Sequence, residues 1–222
     1  MGAAIGQSLP IAVGVLVSPM PIVALVLMLV SRRARSNGLA FLLGWVVGVF
    51  VVGTVVALLA GAATTDDSST PAWVGWLKIV LGLLLLLVGV RGWRRRPAKG
   101  ATVTTPTWMA SIDSFTPVKA AGLAFALGAV NPKNLLLVVS GGAAIAAATM
   151  STSDRVVAMV VFTVVASLGV AIPYGIYVSM GDRAAQPLDR IKTWMIDNNA
   201  VIMAVLMLVL GVKILGDGLA SL

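Results

Sequence analysis

Long apolar runs alternate with short polar breaks along the whole chain. A run of ~20 apolar residues is needed to cross a bilayer core. Six candidates occur, at roughly 5–30, 38–62, 73–92, 120–149, 155–180 and 196–219. Trp73, Trp76, Trp93 and Trp194 fall near the proposed ends, where interfacial aromatic belts sit. The pattern predicts an all-α integral membrane protein with six transmembrane helices.

The polar breaks set an orientation. The first loop carries Arg32, Arg33 and Arg35. The second carries Asp66 and Asp67 and no basic residue. The third carries Arg94, Arg95, Arg96, Lys99 and Lys119, with Arg91 at its edge. The short fourth holds Asp154 and Arg155, and the fifth holds Arg183, Arg190 and Lys192. Alternate loops thus contain 3, 6 and 3 of the 16 basic residues. The positive-inside rule makes those three loops cytoplasmic and puts both termini outside. The first span lacks the basic leader of a signal peptide and is read as retained.

The third loop divides the chain into a first three-helix repeat (1–92), a basic cytoplasmic loop (93–119) and a second three-helix repeat (120–222). Within the loop, Thr105-Pro106 reads as a helix start. Trp108, Ile112 and Phe115 follow at helical spacing before Pro117, which predicts an amphipathic helix on the inner membrane surface. A similar start at Pro187 leads through Leu188, Ile191, Trp194 and Met195 into the last span.

Composition narrows the chemistry. The chain of 222 residues is 59% hydrophobic, with a mean hydropathy of +1.02 and only 11% charged residues. Its net charge of +8 belongs to the topology-setting loops rather than to nucleic-acid binding. Cys, His and Glu are absent, and all eight acids are Asp, none in the middle of an apolar span. Thiol, acid–base and metal chemistry lack their usual residues, so no enzyme activity, cofactor or metal is expected. A buried carboxylate to carry protons is missing too.

Three spans running inward followed by three running outward make an inverted repeat, a transporter design whose sites are built on discontinuous helices near the midplane. Two proline-interrupted spans occupy matching positions: Ser18-Pro19-Met20-Pro21 in the first and Asn131-Pro132-Lys133-Asn134 in the fourth. Pro19 lies 13 residues before Arg32 and Pro132 lies 13 after Lys119. At ~1.5 Å per residue, both are about 20 Å from the cytoplasmic charges, near mid-membrane. Ser and Asn suit an N-cap and Pro suits the first helical position. Broken helices 1 and 4 would then direct two positive helix starts at one central region, where they favour an anion. Ser18, Pro19, Pro21, Asn131, Pro132, Lys133 and Asn134 are the candidate substrate-binding residues, and Lys133 supplies a full charge.

Other polar positions are weaker candidates. Pro173 and Tyr174 are expected to break or bend the fifth span and to line the same cavity. Lys78 is a candidate secondary anion contact, although interfacial anchoring also explains it. Lys213 has Asp217 four residues on, the spacing of a local ion pair. The paired glycines, among them Gly44 and Gly48, Gly141 and Gly142, read as helix-packing positions.

Several stretches resemble one actinobacterial family. They are Ser18-Pro19-Met20-Pro21-Ile22, Arg32–Gly38 leading into Gly44-Trp45-Val46-Val47-Gly48, Trp76-Leu77-Lys78, Asp113-Ser114-Phe115-Thr116-Pro117, Val130-Asn131-Pro132-Lys133-Asn134-Leu135-Leu136-Leu137 and Gly211-Val212-Lys213. The chain is similar over essentially its whole length to the GAP-like (glycolipid-addressing) proteins, which include the sulfolipid-addressing protein, within the lysine-exporter (LysE) superfamily. That resemblance implies export, or support of export, of a lipid or glycolipid to the cell envelope. It carries no assignment of substrate-contacting residues.

The resulting expectation is a plasma-membrane transporter that exports or flips an anionic lipid or glycolipid. Its partners would be an anionic amphiphilic substrate, membrane lipids, and either a second copy or an envelope-lipid export machinery. The alternatives are an exporter of a small solute such as an amino acid, and a non-transporting scaffold.

Overall fold

The computed structural model describes residues 1–63, 72–94, 112 and 114–220. Regular structure among them is entirely helical: α1 (Gly2–Leu16), α2 (Pro19–Leu29), α3 (Ala34–Ala63), α4 (Ala72–Arg94), α5 (Pro117–Phe125), a π-helical turn (Ala126–Val130), α6 (Pro132–Ala148), α7 (Thr152–Met180), a 3₁₀ turn (Gly181–Ala184), α8 (Ala185–Asp197) and α9 (Asn199–Leu219).

Three of these, α3, α7 and α9, are long and apolar enough to cross a membrane, which makes this a multi-pass membrane protein. Two further helix pairs pass the same test together but are bent: α1 with α2 by 51°, and α5 with α6 by 62°. Counting each bent pair as one span gives five among the described residues. The predicted third span coincides with α4, which carries Lys78, Arg91 and Arg94 and is not one of the five. The predicted amphipathic segment of the third loop falls mostly outside the described residues; Ile112, from its end, is buried.

Both bends have a chemical cause. Proline has no N–H and its ring clashes with the preceding turn, so a helix cannot run through it undisturbed. In lipid, each backbone group freed by such a break needs an internal partner. At the first break the Val17 and Ser18 amides donate to Val13 O and Val15 O, both at 3.1 Å. At the second, the Asn131 amide reaches back five residues to Ala126 O at 2.8 Å, and Leu135 N donates to Asn131 O at 2.8 Å.

The helices group into two compact units, one of Met1–Thr65 with Thr105–Met195 and one of Asp66–Thr104 with Ile196–Leu222. In the first, small residues fix the register. The Gly44 Cα faces the backbone of Ala121, and Gly48 faces that of Phe125, so α3 and α5 run parallel. Gly38 packs on Tyr174, Gly53 on Met159 and Gly61 on Arg155, so α3 and α7 are antiparallel. Gly169 abuts the Leu16 carbonyl, and the Met1 amine reaches Asp154 at 2.7 Å, so α1 and α7 are parallel. It follows that the α1–α2 pair runs opposite to the α5–α6 pair. In the second unit Gly82 meets Leu215 and Gly89 meets Leu208, so α4 and α9 are antiparallel.

Hydropathy alone cannot distinguish the faces of α3, which is apolar all round. Side-chain size does. Phe41, Trp45 and Val49, followed by Gly53 and Ala57, point inward and are buried, while Leu39, Leu43, Val47, Val51, Val55 and Leu59 form an exposed stripe. Without water there is no hydrophobic drive between helices, so close packing against small residues holds the bundle, and branched aliphatic side chains are left for lipid.

Candidate functional site

The two helix breaks meet. Lys133 Nζ donates to Ser18 Oγ at 3.4 Å across 115 residues of sequence. Ser18 is 3% exposed, while Lys133 is half-buried.

Each side of this contact is built by its own break. Ser18 occupies the N-cap of α2 with extended backbone, but its side chain caps nothing; the hydroxyl receives Lys133 instead. This corrects the expectation that it caps the helix. On the other side Asn131 does cap: its Oδ1 accepts from the Lys133 amide at 3.1 Å. That bond fixes the first turn of α6, from which the Lys133 side chain projects.

Asn134 closes the second break from behind. The π turn widens the backbone and leaves the Leu127 carbonyl to be satisfied otherwise; Asn134 Nδ2 donates to it at 2.8 Å. Asn134 is 1% exposed, and its Oδ1 has no hydrogen-bond partner. Single π turns are frequent at functional sites.

The expected supply of free amides is smaller than two helix starts would ordinarily give. Pro19 and Pro21 take two of the first three positions of α2 and bring no N–H, so Met20 alone offers one there. At α6, Pro132 has none and the Lys133 amide is taken by Asn131. The helix dipoles still point the right way, but the Lys133 ammonium is the dominant positive group.

Among the described residues no carboxylate lies within ion-pair distance of Lys133. A lysine at the centre of a transmembrane helix costs about 2.5–3.5 kcal/mol on insertion scales. One neutral hydroxyl at 3.4 Å does not neutralise it. An intramembrane charge that faces protein without a counter-charge is the usual mark of a substrate or ion site.

Pro173 does not break its span, since α7 runs through it from Thr152 to Met180, and Tyr174 is placed elsewhere than expected. Pro173 is buried inside α7, and Tyr174 packs beside Leu29 and Gly38 at the far end of α2. The 11 residues of α2 put that end roughly 16 Å from Ser18 at 1.5 Å per residue. The part of α7 beside the first break is Gly169, against Leu16. The Lys78 side chain lies outside the described residues. Lys213 pairs with Asp217 at 2.7 Å.

Tyr174 instead lines a cavity of about 820 Å³ with Arg32, Arg33, Arg35, Tyr177 and Leu188. In the sequence these arginines are legible only as topology signals, because the cavity needs the α2–α3 turn, α7 and α8 to converge. Arg155, a loop charge in the sequence, is in fact a buried residue of α7. It is 6% exposed, its Nε donates to Thr149 O at 3.0 Å, and its guanidinium lies on Gly61.

No curated protein and no solved structure matches the chain. Residues 9–220 match the family described as Sap, sulfolipid-1-addressing protein. With both helix breaks inside the matched region, the chain belongs to the sulfolipid-1-addressing protein family.

Proposed function

We propose that this protein is a transporter, not an enzyme, and that it exports or flips an anionic lipid or glycolipid toward the cell envelope. The headgroup is held between the two broken helices by Lys133 and Ser18. The family's printed description concerns addressing of a sulfolipid, and a sulfate or phosphate headgroup is the counter-charge that Lys133 lacks. The contact of Lys133 with Ser18 at 3.4 Å carries this reading, since it joins the only two proline-broken helix pairs of opposite direction among the described residues.

The architecture proposed is six spans in a 3+3 inverted repeat, with α1–α2, α3 and α4 equivalent to α5–α6, α7 and α9. Three observations support it. The bent pairs run opposite to each other, α3 runs opposite to α7, and α4 runs opposite to α9. Such repeats carry their substrate sites near the midplane on discontinuous helices. By the positive-inside rule, the proposed orientation has the arginine-rich loops in the cytoplasm and both termini outside.

The test is reconstitution of the purified protein in phosphatidylcholine liposomes containing trace tail-labelled fluorescent lipids. Faster transbilayer movement of an anionic phosphatidylglycerol probe than of a phosphatidylcholine probe is expected. Movement of amino acids with no lipid movement would assign a solute exporter. No movement of either would assign a scaffold.

A further inference from the structure

We infer that the cavity at the C-terminal end of α2 is a second binding site, one that takes the oxyanion headgroup of an amphiphile. Its volume, about 820 Å³, falls in the range of small-molecule sites. Arg32, Arg33 and Arg35 line it, and no acidic residue does among the described residues. None of the three arginines has an ion-pair partner among the described residues. The 30-residue α3 starts at Ala34 with no acid in its first turn, so its positive dipole end adds to the guanidinium charges, while the negative end of α2, which closes at Leu29, offsets part of them. A region this positive is completed by an anion, and guanidinium groups hold phosphate or sulfate through paired N–H donors.

Topology alone does not call for this construction. The positive-inside rule needs only basic residues in a loop. It does not need Tyr174 and Tyr177 to converge on them from α7, or Leu188 from α8 to form a floor at 0% exposure. Gly38 makes the convergence possible: a Cβ there would stand 2.7 Å from Leu29 Cδ2 and 2.9 Å from Tyr174 Cδ2.

An amphiphile fits better than a free ion because one wall is apolar. Val30 and Leu39 line the cavity and are 57% and 45% exposed. Leu39 also begins the exposed stripe that continues through Leu43 and Val47 along α3. A headgroup on the arginines would lay its acyl chains along that stripe. Binding here stands on the cavity itself. Its use as an entrance, with α2 linking it to Ser18 and Lys133, rests on the transport reading.

The test is native mass spectrometry of the full chain in non-ionic detergent, with phosphatidic acid and phosphatidylcholine as probes. The wild type is expected to retain phosphatidic acid in preference to phosphatidylcholine. The variant R32K/R33K/R35K keeps the topology-setting charge but loses the paired donors, and should retain about tenfold less. Ser36→Glu places a carboxylate at the cavity edge near the start of α3, where the dipole tolerates it, and should lower retention as well. In a Lys133→Met background, which removes the charge of the central site, phosphatidic acid should still be retained and the arginine variant should still lower that retention, which separates the cavity from the central site. Wild-type retention of phosphatidic acid by both folded cavity variants would overturn the proposal. Displacement of the lipid by millimolar inorganic phosphate would overturn its assignment to an amphiphile.

Discussion

Lys133 Nζ lies 3.4 Å from Ser18 Oγ, and this one contact joins two helix breaks that are 115 residues apart in sequence. Neither residue completes the other. A serine hydroxyl gives an ammonium a dipole where it needs a charge, so the pair forms half of an ion-binding arrangement. Replacing Ser18 by Ala should leave the helices in place, since Ser18 makes no cap bond. It should slow transport about three- to tenfold, or about 0.7–1.4 kcal/mol, because a bond as long as 3.4 Å contributes no more than an ordinary neutral one. Transport assay beside a melting curve checks both parts.

Asn134 is predicted to matter for stability first. Its amide nitrogen holds the Leu127 carbonyl at 2.8 Å in a buried position. Asn134→Leu strips that carbonyl of its partner in a place water does not reach. A loss of about 1–3 kcal/mol is expected, measurable as a lower midpoint in denaturant titrations in detergent.

The helix-packing glycines separate into costly and neutral positions. A Cβ on Gly44 would stand 2.3 Å from the Ala121 carbonyl oxygen, and one on Gly169 would stand 2.1 Å from that of Leu16. Backbone cannot swing aside as a side-chain tip can, so Gly44→Ala and Gly169→Ala should each cost about 1–3 kcal/mol. Gly175→Ala meets nothing within 4 Å, and should be neutral or slightly stabilising because alanine favours the helix. Melting temperatures of the three variants give the ranking.

The absence of cysteine makes orientation directly testable. Ser36→Cys, beside the first-loop arginines, and Ser153→Cys, at the start of α7, are both at exposed positions. A membrane-impermeant maleimide applied to intact cells should label Ser153→Cys and spare Ser36→Cys. The reverse pattern would invert the topology.

The sequence showed the places where helices break, because a polar cap followed by proline inside an apolar run has a strong local cause. Ser18-Pro19 and Asn131-Pro132 both interrupt their spans, and equal distances to the flanking charges placed them at one depth. What Ser18 does was not legible, since whether a hydroxyl caps its own helix or receives a distant lysine depends on tertiary approach. The π turn at Ala126–Val130 and its repair by Asn134 were hidden for the same reason. Tyr174 was assigned to the central region although it stands only nine residues before Arg183. A depth count like the one made for Pro19 and Pro132 would have moved it toward the arginine-rich side, where the structure has it.

The account depends most on Lys133 as the holder of negative charge inside the membrane. The most direct measurement is transbilayer movement of a tail-labelled phosphatidylglycerol in liposomes carrying either wild type or Lys133→Met, a replacement of similar length without charge. The wild type should move the lipid at least about tenfold faster, the effect of ~1.4 kcal/mol, with both proteins melting alike. Equal rates from two equally folded proteins would contradict the role assigned to Lys133.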